Sequence, residues 1–520
     1  MKRILLAQVI IIFMAINPFS AGARWVKSYD ILENKYDKAV SVLQTTAVPG
    51  FIVFNDDMTV LKLTPTGIVQ WAANYFRGCY NSPKQIVETS DNGYVLLANH
   101  RSTDPDNCTG SDKLWVIKLD AAGQVLWQKT FQGAGDSIDA VQIREVPLGN
   151  GYILDGNSKN SETDTDIWMI RIDNSGDLVW QNTFSITGKL LASSVIYDSV
   201  NVRFVISGSM QSAGYPHGII MSLDTFGQID WINWYSNTAY LKSVVHDGPF
   251  YVAAGTSIDY ENNSDALVVK VNVTDGTSDW AEKYGSSDKH ENIKQIVSTS
   301  DGGYAFICDT DLYGMGSYDA WLTKIDVSGA VQWGRTFGGE KIESALTLQD
   351  TADSGFIVGG FTKSFPDNPE YMNMFLMKLP SDGDYDNCTK VGKTAISSSS
   401  VTVYNYSLVP EVAQMSPTDI KDTLITAVAD TTTYNMETVC FSIDTDGDGI
   451  LDDGDNSGIA GDNPCGNNVT ENCDDNCRYS CNFQQLNFDD FDDDIGDVCD
   501  RDPHCDRACG DNPCEQECKF

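Results

Sequence analysis

One pattern recurs along most of this chain and limits what it can become. An apolar strand runs into a polar turn ending in glycine, and a second strand follows that carries tryptophan. The copy at Asp166–Phe184 reads DIWMIRIDNSGDLVWQNTF, with a strand Ile167–Ile172, the turn Asp173-Asn174-Ser175-Gly176 and a second strand ending on Trp180. Further copies are Val60–Trp71, Leu114–Trp127, Gly218–Trp231, Ala266–Trp280 and Ala320–Trp333. Met374–Asp384 supplies a seventh first strand with no Trp after it, and Trp25–Tyr29 supplies a second strand with no first strand before it. Seven first and seven second strands pair completely only if the N-terminus joins the last repeat, which predicts a circular array.

A second marker alternates with the first. Thr89–Ala98 (TSDNGYVLLA) and Thr299–Cys308 (TSDGGYAFIC) have weaker relatives at Gly149–Gly156, Arg203–Ser209, Phe250–Thr256 and Ser354–Gly360, each a further short strand. Alternation such as Trp168, Ile170 and Ile172 puts large apolar groups on one strand face. The Asp-x-x-Gly turn offers a polar first residue and a Gly able to take positive φ, the chemistry of a hairpin with a bulge. A four-stranded sheet of this kind has two apolar faces and cannot stand alone, whereas radial stacking buries both. The predicted fold is all-β: a seven-bladed β-propeller over 24–385, closed by the N-terminal strand Trp25–Tyr29, then a Ser/Thr-rich β connector over 386–441 and an irregular, calcium- and disulfide-stabilised tail over 442–520. A one-dimensional solenoid is the competing architecture, and the split repeat argues against it.

The spacing of an acidic residue, Gly and Trp resembles the quinoprotein-like propeller repeats over roughly Trp25 to Asp384. Quinone-dependent members of that group usually carry adjacent cysteines over the cofactor, and this sequence has no Cys-Cys pair; nor does it have an S-x-D-x-G-x-x-W box. The recurring Trp residues therefore read as blade core. His100, His217, His246, His290 and His504 show no paired spacing for zinc. There is no nucleophile elbow, phosphate loop or haem signature. Acidic loops at Ser161–Asp166 and Asp259–Asp265 leave open a carboxylate pair across a propeller mouth, against the plainer reading of a solvated face. No catalytic residue is assigned. Cys79 and Cys108 are candidates for a disulfide, as are Cys388 and Cys440; Cys308 has no evident partner.

The chain begins MKRILLAQVIIIFMAINPFSAGAR, the layout of a secretory signal peptide over 1–23 with cleavage after Ala23; an uncleaved anchor is the competing reading. The formal charge of −38 is unevenly placed: Phe441–Phe520 holds 22 acidic and 4 basic residues, a net of −18. Such a surface argues against nucleic acid as a partner, because phosphate binding needs the opposite sign. Nine of the 14 cysteines lie between Cys465 and Cys518, which in an exported chain reads as disulfide stapling of a segment too polar to build a core.

In Asp444–Asn456 (DTDGDGILDDGDN), Asp444, Asp446 and Asp448 alternate, Gly449 follows, and Asp452 and Asp455 take the ninth and twelfth places. Calcium takes six to eight oxygens, which alternate carboxylates on a loop curling at Gly supply together with the Ile450 carbonyl. An EF-hand would have Glu at the last place and flanking amphipathic helices, and neither is present. Asp444–Asp500 instead resembles the thrombospondin type 3 repeats. Its second copy, Cys473–Asp500, matches through Asp475-Asn476-Cys477, Asn482, Gln485, Gly496-Asp497 and Cys499-Asp500. It departs at Arg478, where Pro is usual, and at Phe491, which one alignment sets at a ligand place beside Asp489, Asp493 and Asp497. Ser457 stands where the first copy would carry Cys. The resemblance implies acidic repeats that wrap around bound Ca2+, and the charge density agrees, since such a segment expands unless cations neutralise it.

These features lead to an expectation of a secreted or cell-surface, calcium-binding scaffold of the cell-adhesion type. It would present a propeller surface to an extracellular protein or glycan, with the tail as spacer or attachment and no transmembrane segment after signal removal. An extracellular enzyme with a site at the propeller mouth, polysaccharide-active or quinoprotein-type, is the alternative. An assembly factor docking exported proteins along blade edges is a third.

Overall fold

The computed structural model describes residues 24–31 and 36–384, apart from 77–79, 102–109, 134, 212–213, 215, 259–263, 286–289, 312–317 and 365–370, together with 391–393, 398–400, 404–407, 411–414 and 435–440. Residues 1–23, where a signal peptide is expected, the nine tail cysteines, Cys79, Cys108 and Cys388 fall outside these residues.

Every named element is a strand. β1 (Trp25–Asp30) comes first. The first four-stranded unit is β2 (Ala39–Thr45), β3 (Gly50–Asn55), β4 (Thr59–Leu63) and β5 (Val69–Asn74); the second is β6 (Asn81–Glu88), β7 (Tyr94–His100), β8 (Lys113–Leu119) and β9 (Val125–Phe131). The third is β10 (Ser137–Glu145), β11 (Tyr152–Lys159), β12 (Thr165–Ile172) and β13 (Leu178–Ser185). β14 (Lys189–Asp198), β15 (Arg203–Gln211), β16 (His217–Asp224) and β17 (Ile229–Tyr235) make the fourth. The fifth holds β18 (Tyr240–Asp247), β19 (Phe250–Ile258), β20 (Ser264–Asn272) and β21 (Ser278–Tyr284), and the sixth β22 (Glu291–Ser298), β23 (Tyr304–Thr310), β24 (Asp319–Ile325) and β25 (Val331–Phe337). The last has only three consecutive strands, β26 (Glu343–Asp350), β27 (Phe356–Thr362) and β28 (Asn373–Leu379). Its fourth is β1, which pairs antiparallel with β28 from Trp25↔Lys378 to Tyr29↔Met374.

The alternating pattern within each unit is divided between two neighbours rather than between core and solvent. Along β12, Trp168, Ile170 and Ile172 pack with Val95 and Leu97 of the second unit, while Ile167 and Met169 pack with Phe204 and Ile206 of the fourth. All eight residues of β12 are buried, as a central strand covered on both faces requires. Face-to-face stacking of four-stranded antiparallel sheets defines a β-propeller. Trp25 and Tyr29 pack with Ala39 and Phe51, so the unit that contains β1 lies against the first.

The turn glycines and the repeat tryptophans turn out to be one device. The hairpin ends in a bulge, as Arg171↔Trp180 followed by Ile172↔Leu178 shows for β12 and β13. Its Gly adopts positive φ, +79° at Gly67 and +70° at Gly276, which costs little without a Cβ. Over it lies the Trp of the preceding unit: a methyl group placed on Gly276 would fall 2.5 Å from the Trp231 ring, and one on Gly67 would fall 3.1 Å from Trp25. Tyr235 donates to the Gly276 carbonyl at 2.9 Å and Tyr29 to that of Gly67 at 2.7 Å. The repeat tryptophans Trp71, Trp127, Trp180, Trp231, Trp280 and Trp333 are half-buried and pack against the hydrophobic clusters between units, so they belong to the margin of the core at the junctions rather than to its centre. Fully buried tryptophans are Trp25, and Trp115, Trp168 and Trp321 on third strands. The second strand also runs past Trp180 to Ser185, because Gln181, Asn182 and Phe184 still pair with β12.

After the propeller the chain turns back along its outside. β29 (Val391–Lys393) adds to β25, β30 (Ser398–Ser400) to β21, β31 (Asn405–Ser407) to β17 and β32 (Glu411–Gln414) to β13. Each is antiparallel and takes the outer edge of the sixth, fifth, fourth and third units in turn, covering edges that would otherwise offer unpaired backbone groups. β33 (Asn435–Cys440) then pairs with β1. Two alternating stretches of the connector predict strands, Val401–Tyr406 and Thr423–Val428; of the first, Asn405 and Tyr406 fall in β31 and 401–403 lie outside the described residues. The expected strand at Thr423–Val428 lies outside the described residues.

Candidate functional site: an axial channel

The first strands of all seven units, β2, β6, β10, β14, β18, β22 and β26, line a channel of about 520 Å³. Each carries a bulge at the same place, visible as register shifts such as Pro83/Gln85, Ala140/Gln142 and Ile293/Gln295. An extra residue bends the strand and re-aims its side chain. The bulged residues Val40, Lys84, Val141, Ser193, Lys242, Lys294 and Leu346 all face the channel.

The residue after the bulge reaches sideways to the next unit. Gln85 accepts the Ile143 N–H at 2.9 Å, Gln142 that of Val195 at 3.0 Å, and Gln295 that of Leu348 at 3.0 Å. Ser41 accepts from Ile86 at 3.4 Å and Thr347 accepts from Val42 at 3.3 Å, while Ser243 donates to the Ile296 carbonyl at 3.5 Å. These bonds link first strand to first strand, and the Thr347–Val42 bond joins the last unit to the first. They satisfy backbone groups that the bulge and the narrow inner packing would leave without partners.

Carboxylates at the channel rim act as braces. Glu88 accepts the Thr46 N–H at 2.8 Å and the Thr46 hydroxyl at 2.8 Å, and Glu145 does the same for Ser90 at 2.9 and 2.7 Å. Gln44, at the equivalent place in β2, accepts the Ala352 N–H at 2.7 Å. Of the cations on the wall, Lys84 pairs with Asp139 at 2.8 Å and Lys294 with Asp309 at 2.9 Å. Arg144 approaches the Ile143 carbonyl at 3.4 Å, and Lys242 sits 5.1 Å from the Tyr240 ring. Burial lowers the Lys242 pKa and the neighbouring Lys294 charge lowers it further; burial also lowers that of Arg144. Behind Arg144 the carboxyl of Asp155 is buried, and loss of hydration pushes its pKa up to about 7 even though the Gln142 N–H and Arg144 favour the anion.

The four described histidines occupy separate places. His100 bonds Asn81 at 3.1 Å, His217 stacks 4.6 Å from Trp234, His246 bonds the Gly248 carbonyl at 2.8 Å, and His290 meets the Ser264 hydroxyl at 3.3 Å. Among the described residues no group of three His, Cys, Asp or Glu is placed to hold a metal ion. Asp444, Asp446, Asp448, Ile450, Asp452, Asp455, Asp489, Asp493 and Asp497 lie outside the described residues, as does His504. Cys308 is a buried free thiol whose pKa burial raises further. Sequence reasoning missed the channel residues, although a signal was there: Lys84–Val87 and Lys294–Val297 both read KQIV ahead of the TSD turn.

The strand pairing defines a β-propeller repeat protein. No family model matches the chain and no curated protein is similar to it. Among solved structures it is similar to the RRP9 WD40 repeats (TM-score 0.45, 9% identity, 68% of this chain and 97% of that one). It is similar to U3-55K at the same score and identity, covering 68% and 98%, and to the C-terminal WD40 domain of Sif2 at TM-score 0.37 and 10% identity, covering 66% and 82%.

Proposed function

We propose that the chain is a secreted or cell-surface binding scaffold of the adhesion type: a seven-bladed propeller closed by its N-terminal strand, with an acidic tail that binds Ca2+ as a spacer or attachment. The single observation that supports it most is the pairing of β33 with β1. The segment leading into the tail is fixed to the strand that completes the last unit, so a load on the tail reaches the whole ring through backbone hydrogen bonds. The junction devices point the same way: a Trp over each turn, a Tyr hydroxyl on the turn glycine at Gly67, Gly123, Gly276 and Gly329, and side chains stitching first strand to first strand stiffen the body that carries the loops. The hairpin repeats keep their resemblance to the quinoprotein-like propellers, and Asp444–Asp500 to thrombospondin type 3 repeats. In this reading Asp444, Asp446, Asp448, Asp452 and Asp455, with the Ile450 carbonyl, hold the first ion, and Asp489, Asp493 and Asp497 contribute to a second. The propeller loops meet an extracellular protein or glycan. Calcium titration by calorimetry on the mature chain tests the metal reading, and a glycan and envelope-protein binding screen tests the scaffold reading. Absence of calcium heat defeats the first; absence of any retained partner defeats the second.

A further inference from the structure

We propose that the axial channel binds a small polyvalent oxyanion, a phosphate- or sulfate-bearing solute, held by Lys84, Lys242 and Lys294 with Arg144 further along the wall. The three lysines occupy the same bulged position on three of the seven first strands, so they face the lumen at one level. β6 lies across the ring from β18 and β22, which sets the ammonium groups on both sides of whatever enters. Arg144 is three residues beyond the bulged Val141, about 10 Å along the wall at the rise of a strand.

The charge balance favours an anion. Lys84 and Lys294 each have one carboxylate, Asp139 and Asp309, neither of which is part of the channel lining. Among the described residues, Lys242 forms no ion pair, and the carboxyl acting on Arg144 is that of the buried Asp155. Glu88 is the acidic residue of the lining, four residues from Lys84, and its two oxygens are already occupied by Thr46 and Ala47. Burial raises the pKa of Asp155, behind Arg144, to about 7, so its negative charge is only partial at neutral pH. Four cations around one lumen are an unusual concentration in a chain of net charge −38, and mutual repulsion between Lys242 and Lys294 is a cost that a bound anion relieves. A volume of about 520 Å³ suits a small molecule. Gln85, Gln142, Gln295 and Ser243 on the same wall bond to neighbouring strands, so the ammonium and guanidinium groups are the charged donors that define what binds.

This site is independent of the calcium reading and is tested without calcium. Calorimetry is run on the mature chain in calcium-free chloride buffer, with sulfate in one arm and inorganic phosphate in the other. The expected result is a saturable single-site isotherm with at least one of them, weakened tenfold or more by K242Q and by R144Q and unchanged by K341Q, an exposed lysine outside the channel. K242Q breaks no ion pair among the described residues, and a thermal midpoint for each variant verifies folding. An isotherm with one anion alone identifies that anion as the ligand class. No saturable heat with either anion, wild-type affinity in K242Q, or equal weakening in K341Q overturns the proposal.

Discussion

The Lys378 ammonium lies 2.8 Å from the Asp353 carboxylate, and the two side chains are only 2% and 9% exposed. Lys378 is on β28, the third strand of its unit, and Asp353 is in the turn between the first two. Thr351 donates to the same carboxylate at 2.5 Å and Gly355 N–H at 3.3 Å. The arrangement recurs as Lys118 with Asp91 and Thr89, and as Lys324 with Asp301 and Thr299. This is what the TSDNGY and TSDGGY markers are for: the turn closes over a buried lysine and locks three strands together.

Breaking the clamp costs most where it is driest. D353A strands a buried ammonium and is expected to cost about 3 kcal/mol or more. D91A removes a carboxylate that is 56% exposed from a lysine that is itself only 4% exposed and keeps its bond to Thr89, and should cost less than D353A, about 1–2 kcal/mol. Burial alone would raise the Asp353 pKa, but the hydrogen bonds from Lys378 and Thr351 outweigh it and hold the carboxyl below its usual range. Its stabilisation is therefore present above about pH 4, the unfolded carboxylate value, and is lost as pH falls below it. Thermal midpoints at pH 7 and pH 3 check both statements: the D353A deficit exceeds that of D91A at pH 7 and shrinks at pH 3.

Asp155 has the opposite sign. Its folded pKa is raised to about 7 by burial, above the unfolded value of about 4. Its contribution is fully present below pH 4 and is lost as pH rises to 7 and beyond. Asp155→Asn keeps the acceptor for the Gln142 N–H, at 2.9 Å, and removes the charge. The midpoint of D155N is expected to fall less steeply between pH 5 and pH 8 than that of the wild type.

Two glycines separate backbone strain from crowding. Gly302 has φ +88° with nothing near the place of a Cβ, and Gly276 has φ +70° beneath Trp231. G302A should cost about 1 kcal/mol from the left-handed backbone alone. G276A should cost about 1–3 kcal/mol more, because the added methyl displaces the indole. Equal losses in urea unfolding would show that the tryptophans do not brace the turns.

The calcium reading predicts that D446N/D448N weakens calcium binding in calorimetry while leaving the thermal midpoint of the propeller unchanged. Chelation should enlarge the hydrodynamic radius of the wild-type chain and expose its tail to protease. A compact, protease-resistant tail in the presence of chelator would contradict the assignment of these aspartates.

Much of the fold is legible in the sequence because the hairpin is a local code. Asp173-x-x-Gly176 specifies a turn within four residues, and counting orphan halves at Trp25 and Met374 yields the pairing of the chain's ends. The roles of side chains between units are not legible in the same way. Trp180 reads as core because it is large and apolar, yet its ring also lies over Gly227 of the next unit, a relation 47 residues away that no local period encodes. The channel was invisible for a similar reason: Lys84, Lys242 and Lys294 become neighbours only when three bulges aim them at one axis. The outer strands from β29 to β32 were foreseen as β but not placed, since three-residue strands carry too little pattern to name a partner.

The central structural claim is that the chain closes on itself through β1 and β28, and amide hydrogen exchange on the chain tests it most directly. Val26–Tyr29 are flanked on both sides, by β28 and β33, and their amides should exchange as slowly as those of Asn373–Leu379. Exchange of the N-terminal strand within seconds, while β28 stays protected, would contradict it.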